Sequence, residues 1–86
     1  MEPHAIIKYP LATEKSIRLM ESENKLIFEV DTRATKQDIK KAAEELFKVK
    51  VTNVNVYRTM RGGKRAYIKF APEHPAIDVA TDLGLM

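Results

Sequence analysis

Ile39, Ala42, Ala43, Leu46 and Phe47 fall at i, i+3, i+4, i+7 and i+8. Only an α-helix gathers that spacing into one apolar stripe. Thr35 sits where an N-cap belongs, and Asp38 follows at the third helical position, which makes a near capping box. Lys36, Lys40, Lys41 and Lys48 project from the opposite face. A helix with one apolar stripe must bury it against another element. The run just before it supplies a surface: Leu26, Phe28 and Val30 alternate with Ile27, Glu29 and Asp31, the pattern of a half-buried strand over Leu26–Asp31. A helix laid on a sheet is the expected core.

Two further strands read over Val51 to Met60 and Arg65 to Ala71. Val54 and Val56 face inward on the first; Ala66, Ile68 and Phe70 face inward on the second. Gly62-Gly63 between them suggests a two-residue hairpin turn. Parity argues against it, because Val56 would then face Lys69. A three-residue loop pairing Arg61 with Arg65 sets Val56 opposite Phe70 and Met60 opposite Ala66, which keeps the apolar face continuous. An odd loop with a glycine bulge is therefore expected. Arg58 falls on the inner side, so its head is expected at a sheet edge, in solvent or on a ligand.

The ends are plainer. Ile6 and Ile7 open a short strand that Tyr9-Pro10 closes. Thr13 caps a short helix over about Glu14–Met20, and Asn24 lies in a turn. Pro72 and Pro75 stop the last strand. Ala76 to Leu83 reads as a short helix with Ile77, Ala80 and Leu83 on its buried side and Gly84 as a left-handed C-cap. The order β-α-β-α-β-β plus a short C-terminal helix indicates an α+β fold: a small sandwich on a mainly antiparallel four-stranded sheet. The chain has 86 residues, so a single domain spanning 1–86 is expected, with a thin core. It has no cysteine, which excludes disulfides and thiolate metal sites and favours an intracellular setting. No apolar run suits a signal peptide or a membrane span, so no stable membrane insertion is expected.

The net charge of +3 hides a strong asymmetry. Between Phe47 and Glu73 there is no acidic residue, and that band sums to +7; the part before it sums to −1 and the tail to −3. Such a band attracts polyanions, with binding that weakens as salt rises. On the outer face of the late strands, Asn53, Asn55, Tyr57 and Thr59 lie beside Arg65, Tyr67 and Lys69. Aromatics interleaved with cations and amides suit stacking, phosphate pairing and contacts to ribose hydroxyls. The glycine- and phenylalanine-rich motif of RNA-recognition sheets is absent, so recognition of RNA shape and backbone is expected over base readout. Lys8, Tyr9, Thr13 and Lys15 flank the first helix start. Lys36, Lys40 and the N–H groups after Thr35 offer a second helix start to a phosphate.

Catalytic groupings are missing. His4 and His74 have no carboxylate or histidine at metal-ligand spacing, and Gly62-Gly63-Lys64 lacks the rest of a Walker loop. No cofactor and no homo-oligomer are expected. Two other classes stay open. One is an acyl-phosphate hydrolase using Asn53, Asn55 and Arg58, as small ferredoxin-like domains can. The other is an interaction module that docks acidic proteins through the basic band, for which the Tyr57/Tyr67 pair would be superfluous.

Several segments together resemble a known family. Tyr9-Pro10-Leu11-Ala12-Thr13-Glu14-Lys15-Ser16 is similar to its opening proline and Thr/Ser-Glu-Lys signature. Phe28-Glu29-Val30-Asp31, Ala34 to Lys40, Ala43 to Val51, Val54-Asn55 and Lys64-Arg65 continue the match, and the Thr-Lys…Ile-Lys…Leu-Phe-x-Val-x-Val run is its most specific part. The chain resembles the large-subunit ribosomal protein family numbered twenty-three, in its archaeal form. The resemblance implies a non-catalytic structural protein bound to large-subunit rRNA at the rim of the polypeptide exit tunnel. It implies ribosomal protein twenty-nine as a neighbour and a docking platform for nascent-chain factors. Arg58, Arg61, Lys64 and Arg65 would clamp phosphates at the hairpin, with Tyr57 and Tyr67 beside them. Lys8, Tyr9, Thr13, Lys15, Lys36 and Lys40 would contact RNA around the helix starts. Glu14 occupies the family's chaperone-contact position, bordered by Ala12 and Thr13. A second, acidic docking position falls on Lys48, which reverses its charge and points to the signal recognition particle and translocon rather than trigger factor. The short hairpin argues against the tunnel-sensing extension of bacterial members.

Overall fold

Thr35 and Asp38 close the strongest helix reciprocally. The Thr35 hydroxyl accepts the Asp38 N–H at 3.2 Å, and the Asp38 carboxylate accepts the Thr35 N–H at 3.1 Å, so the expected capping box is complete. The computed structural model describes residues 3–11 and 13–83. Its elements in order are α1 (Pro3–Ile6), β1 (Ile7–Pro10), α2 (Glu14–Glu23), β2 (Lys25–Val30), α3 (Lys36–Phe47), β3 (Val51–Arg58), β4 (Lys64–Phe70) and α4 (Ala76–Asp82). The four strands lie in the order β1-β2-β4-β3, and every neighbouring pair is antiparallel. The α+β fold on an antiparallel sheet stands as expected.

The core lies between α3 and one sheet face. Ile39, Ala42 and Ala43 of α3 join Leu26, Phe28, Val30, Val54, Ala66, Ile68 and Phe70 in one buried cluster. The Phe47 ring stacks on Phe28 at 5.4 Å and meets Phe70 edge-on at 6.5 Å. Burying Phe28, Ile39 and Ile68 completely contributes about 1.5–3 kcal/mol each. The two valines and their partners keep the inward parity read from the sequence.

The hairpin register differs from expectation. Val56 pairs with Ala66 and Arg58 with Lys64, rather than Val56 with Phe70 and Met60 with Ala66. The loop is odd, and its three residues are Met60, Arg61 and Gly62, two positions earlier than expected. Thr59 fixes this: its N–H donates to Gly63 O at 2.9 Å, its carbonyl accepts from Gly62 N–H at 3.1 Å, and its hydroxyl accepts from Gly63 N–H at 2.9 Å. Gly62 takes the left-handed position at φ +84°, which a glycine adopts without steric cost. Met60 is therefore no core residue; it projects fully into solvent at the tip.

Three further corrections concern the ends. The short helix α1 precedes β1 and packs on α3; four residues are too few to show a helical period. Helix α2 continues past Met20 to Glu23. Helix α4 buries Ala76, Val79 and Ala80 and leaves Ile77 44% exposed, so the buried face is turned by one residue from Ile77, Ala80 and Leu83. Asn24 sets that turn. From a left-handed C-cap at φ 57°, its side-chain oxygen accepts the Ala76 N–H, and its Nδ2 donates to Phe70 O, Ala71 O and His74 O at 3.0, 3.2 and 3.3 Å. The expected cap at Gly84 lies outside the described residues.

Candidate nucleic-acid interface

Residues paired across antiparallel strands share a face, so the register builds the outer surface in rows. Tyr9, Glu29, Arg65 and Tyr57 form one row through all four strands. Ile27, Tyr67 and Asn55 form the next, and Lys25, Lys69 and Asn53 the third. All three tyrosines of the chain thus lie on one side. The Tyr57 and Tyr67 rings meet edge-to-face with centroids 5.0 Å apart. Tyr57 stays 56% exposed and Tyr9 52%, so flat faces remain open to a base or ribose.

Cations surround the rings. Lys15, in the first turn of α2, places its Nζ 5.4 Å from the Tyr67 centroid, within cation–π range. That turn reaches over this face of the sheet, and Ile27, beside Tyr67, is buried rather than solvated. Arg65 lies 3.5 Å from the Glu29 carboxylate. The alternation that put Glu29 on this face was legible; that its carboxylate would engage Arg65 needed the register.

The remaining basic residues divide. Arg58 and Arg61 are exposed at the hairpin end. Lys64 turns inward and donates to Ala34 O at 2.6 Å and Thr32 O at 3.5 Å. This tether brings the hairpin against the start of α3, where Lys36 and Lys40 are exposed. The start itself is already filled: the Asp38 carboxylate takes the Thr35 N–H, which holds its pKa below the usual 3.8. A phosphate there would meet a carboxylate. Thr13 likewise spends its hydroxyl on the Ser16 N–H at 3.2 Å, capping α2. Lys36 and Lys40 thus belong to the helix layer, while Lys15, Tyr9, Tyr57, Arg65 and Tyr67 belong to the sheet face. The two groups expected to act together are on opposite sides of the sheet. Lys8 is exposed on the edge strand.

Of the docking positions, Glu14 is outward, its side chain 82% exposed and paired with Arg18 at 2.8 Å. Lys48 is exposed and ends α3 in a left-handed conformation at φ 53°. Ala12 lies outside the described residues. The hydrolase arrangement is not assembled. Asn55 stands in the outer row with Tyr67, whereas Arg58 pairs with Lys64 on the inner side.

The family model for ribosomal protein L23 matches residues 5–77. The large ribosomal subunit protein uL23 of Methanothermobacter thermautotrophicus is 51% identical over 85 residues, covering 99% of each chain. The uL23 of Methanococcus aeolicus is 46% identical over 85 residues, again with 99% of each covered. Both relatives are archaeal, in keeping with the short hairpin. The sheet with its tyrosine face, its capped helices and its clipped hairpin therefore belongs to the ribosomal protein L23 family, as a structural, non-enzymatic constituent of the large ribosomal subunit in the cytoplasm.

Proposed function

We propose that residues 1–86 act as one domain that binds large-subunit rRNA through the outer sheet face and the hairpin. The carrying observation is the Tyr57–Tyr67 pair, flanked by Lys15 and Arg65 on an open sheet surface. Stacking on such rings contributes about 1–3 kcal/mol per base, and Arg58, Arg61 and Arg65 add phosphate contacts. An electrostatic dock for acidic proteins would use the cations and leave the rings idle. The family resemblance supports a position at the exit-tunnel rim beside ribosomal protein twenty-nine. Exposed Glu14 supports docking of nascent-chain factors, and Lys48 favours the signal recognition particle and translocon.

The test is binding of the purified chain to a large-subunit rRNA fragment, titrated against salt and against a scrambled RNA of equal length. Selective binding with a steep salt slope is expected. Tyr57→Ala with Tyr67→Ala should weaken binding about tenfold or more while leaving the slope; Arg58, Arg61 and Arg65 replaced by Ala should flatten the slope by about one per lost contact. Equal binding to both RNAs, or a triple arginine variant of undiminished affinity, would refute the reading.

A further inference from the structure

The helix layer holds a cavity whose lining includes none of Tyr57, Arg58, Arg61, Arg65 and Tyr67. It opens between the last turn of α3, α4 and β1, with a volume of about 550 Å³. Phe28 and Phe47 line its depth, and Leu46, Val49, Val79 and Leu83 its sides. Leu46, Phe47 and Val49 pack on the core yet are only partly buried, and Leu83 is 36% exposed. The apolar stripe of α3 thus runs out of cover in its final turn. The rim carries three carboxylates against one lysine, Lys8 of β1, and so is net acidic, opposite to the rest of the second half of the chain. Glu73, Asp78 and Asp82, the only acids after Glu45, all line the cavity and are exposed. Among the described residues none of them makes an ion pair. β1 flanks the opening as an edge strand, hydrogen-bonded on its β2 side, and among the described residues no strand pairs with its other edge, the kind of edge that an added strand can use.

The geometry points to a docking groove for a short basic, apolar peptide segment of a partner protein. One aliphatic or aromatic side chain enters between Phe47, Val79 and Leu83. Neighbouring lysine or arginine side chains meet Asp78, Asp82 and Glu73. The size suits one or two side chains rather than a whole helix. Three carboxylates repel a phosphate backbone, so RNA is the wrong occupant. Tyr9 on the edge strand borders both surfaces, but Tyr57, Arg65 and Tyr67 lie outside the groove lining, which lets one chain hold RNA and peptide together. The inference rests on the docking half of the proposed function for its biological setting, and its test does not need RNA.

The probe is a labelled peptide alternating Lys/Arg with Leu/Phe, with two controls: one with Glu replacing the cations, one with Ser replacing the apolar residues. Binding to the intact chain is read by anisotropy and by methyl NMR shifts. The basic, apolar peptide should bind best and shift Leu46, Val79 and Leu83. Asp78→Asn with Asp82→Asn should weaken it about three- to tenfold, as two exposed charges predict, and should leave rRNA-fragment affinity undiminished. Those acids lie at the surface, so folding is kept. Equal binding of the Ser control, shifts confined to the tyrosine face, or no binding at millimolar peptide would overturn the proposal. So would groove shifts that vanish on dilution without peptide, which would make the occupant a second copy of the chain. Loss of RNA binding alone would count against the RNA reading and leave this one intact.

Discussion

The Lys64 ammonium donates to the Ala34 carbonyl at 2.6 Å, joining the hairpin to the residue before the α3 N-cap across 30 positions of sequence. Ala34 is wholly buried and Lys64 partly so. Two of the three N–H donors of the ammonium are thus engaged by the fold. Lys64→Ala should lower unfolding free energy by about 1.5–3 kcal/mol, the range for a hydrogen bond to a charged group. Arg61→Ala, at the exposed tip, should stay within about 0.5 kcal/mol. Urea denaturation separates the two; equal midpoints for both variants would show that the tether holds nothing.

Asn24 is the second long-range anchor. Its side chain serves three carbonyls and one N–H of the segment from Phe70 to Ala76. Asn24→Gly keeps the left-handed backbone and removes only these bonds. It should cost about 2–4 kcal/mol and speed amide exchange in α4 more than in α3. Asn24→Asp should cost at least as much, since a carboxylate would face the three carbonyls. A loss confined to a few tenths of a kcal/mol would mean that the C-terminal segment docks through Ala76, Val79 and Ala80 alone.

These anchors also mark where the sequence stopped being informative. The α3 stripe, its capping box and the inward valines follow from local spacing, and all were readable. Odd loop parity was readable because it decides which face Val56 joins. The exact register was not, since Thr59 selects it through three hydrogen bonds that apolar alternation does not encode. The rotation of α4 was hidden for a related reason. Two apolar stripes, Ile77/Ala80 and Ala76/Val79/Ala80, are compatible with its sequence, and Asn24 chooses between them from far upstream. At the site, Tyr57, Tyr67 and Arg65 came together as read. Lys64 did not join them, because a lysine's composition says nothing of the carbonyls it will find.

Acid should weaken the fold through two carboxylates. The Arg33 guanidinium, and then the Arg33 N–H, hold Asp31 below 3.8; the Thr35 N–H, and then its hydroxyl, do the same for Asp38. A carboxylate with a lower pKa in the folded state binds fewer protons there, so protonation favours unfolding. This stability is present in full well above 3.8 and is lost as pH falls below it toward the folded values. Asp38→Asn keeps an acceptor for the Thr35 N–H but not the charge. Its urea midpoint should lie below the parent's at neutral pH, and the two curves should converge as pH drops to about 2. Parallel curves would show that the capping-box charge has no part in acid sensitivity.

Glu29 is the one acid in the row that runs Tyr9, Glu29, Arg65, Tyr57, and it holds the Arg65 guanidinium at 3.5 Å. It also packs against the hairpin, where a Cβ added at Gly63 would come within 2.5 Å of its Oε1. A phosphate arriving on this face must draw Arg65 away from Glu29 and approach a carboxylate that is only 16% exposed. Removing the charge removes both costs. Glu29→Gln should tighten binding to the rRNA fragment about two- to fivefold, the scale of one partly exposed ion pair, and steepen the salt dependence. Combined with Arg65→Ala, the substitution should lose the part of its effect that acts through the guanidinium, so the two changes should not add. Weaker binding by Glu29→Gln with an unchanged unfolding midpoint would instead make the ion pair a positioning device that RNA needs intact.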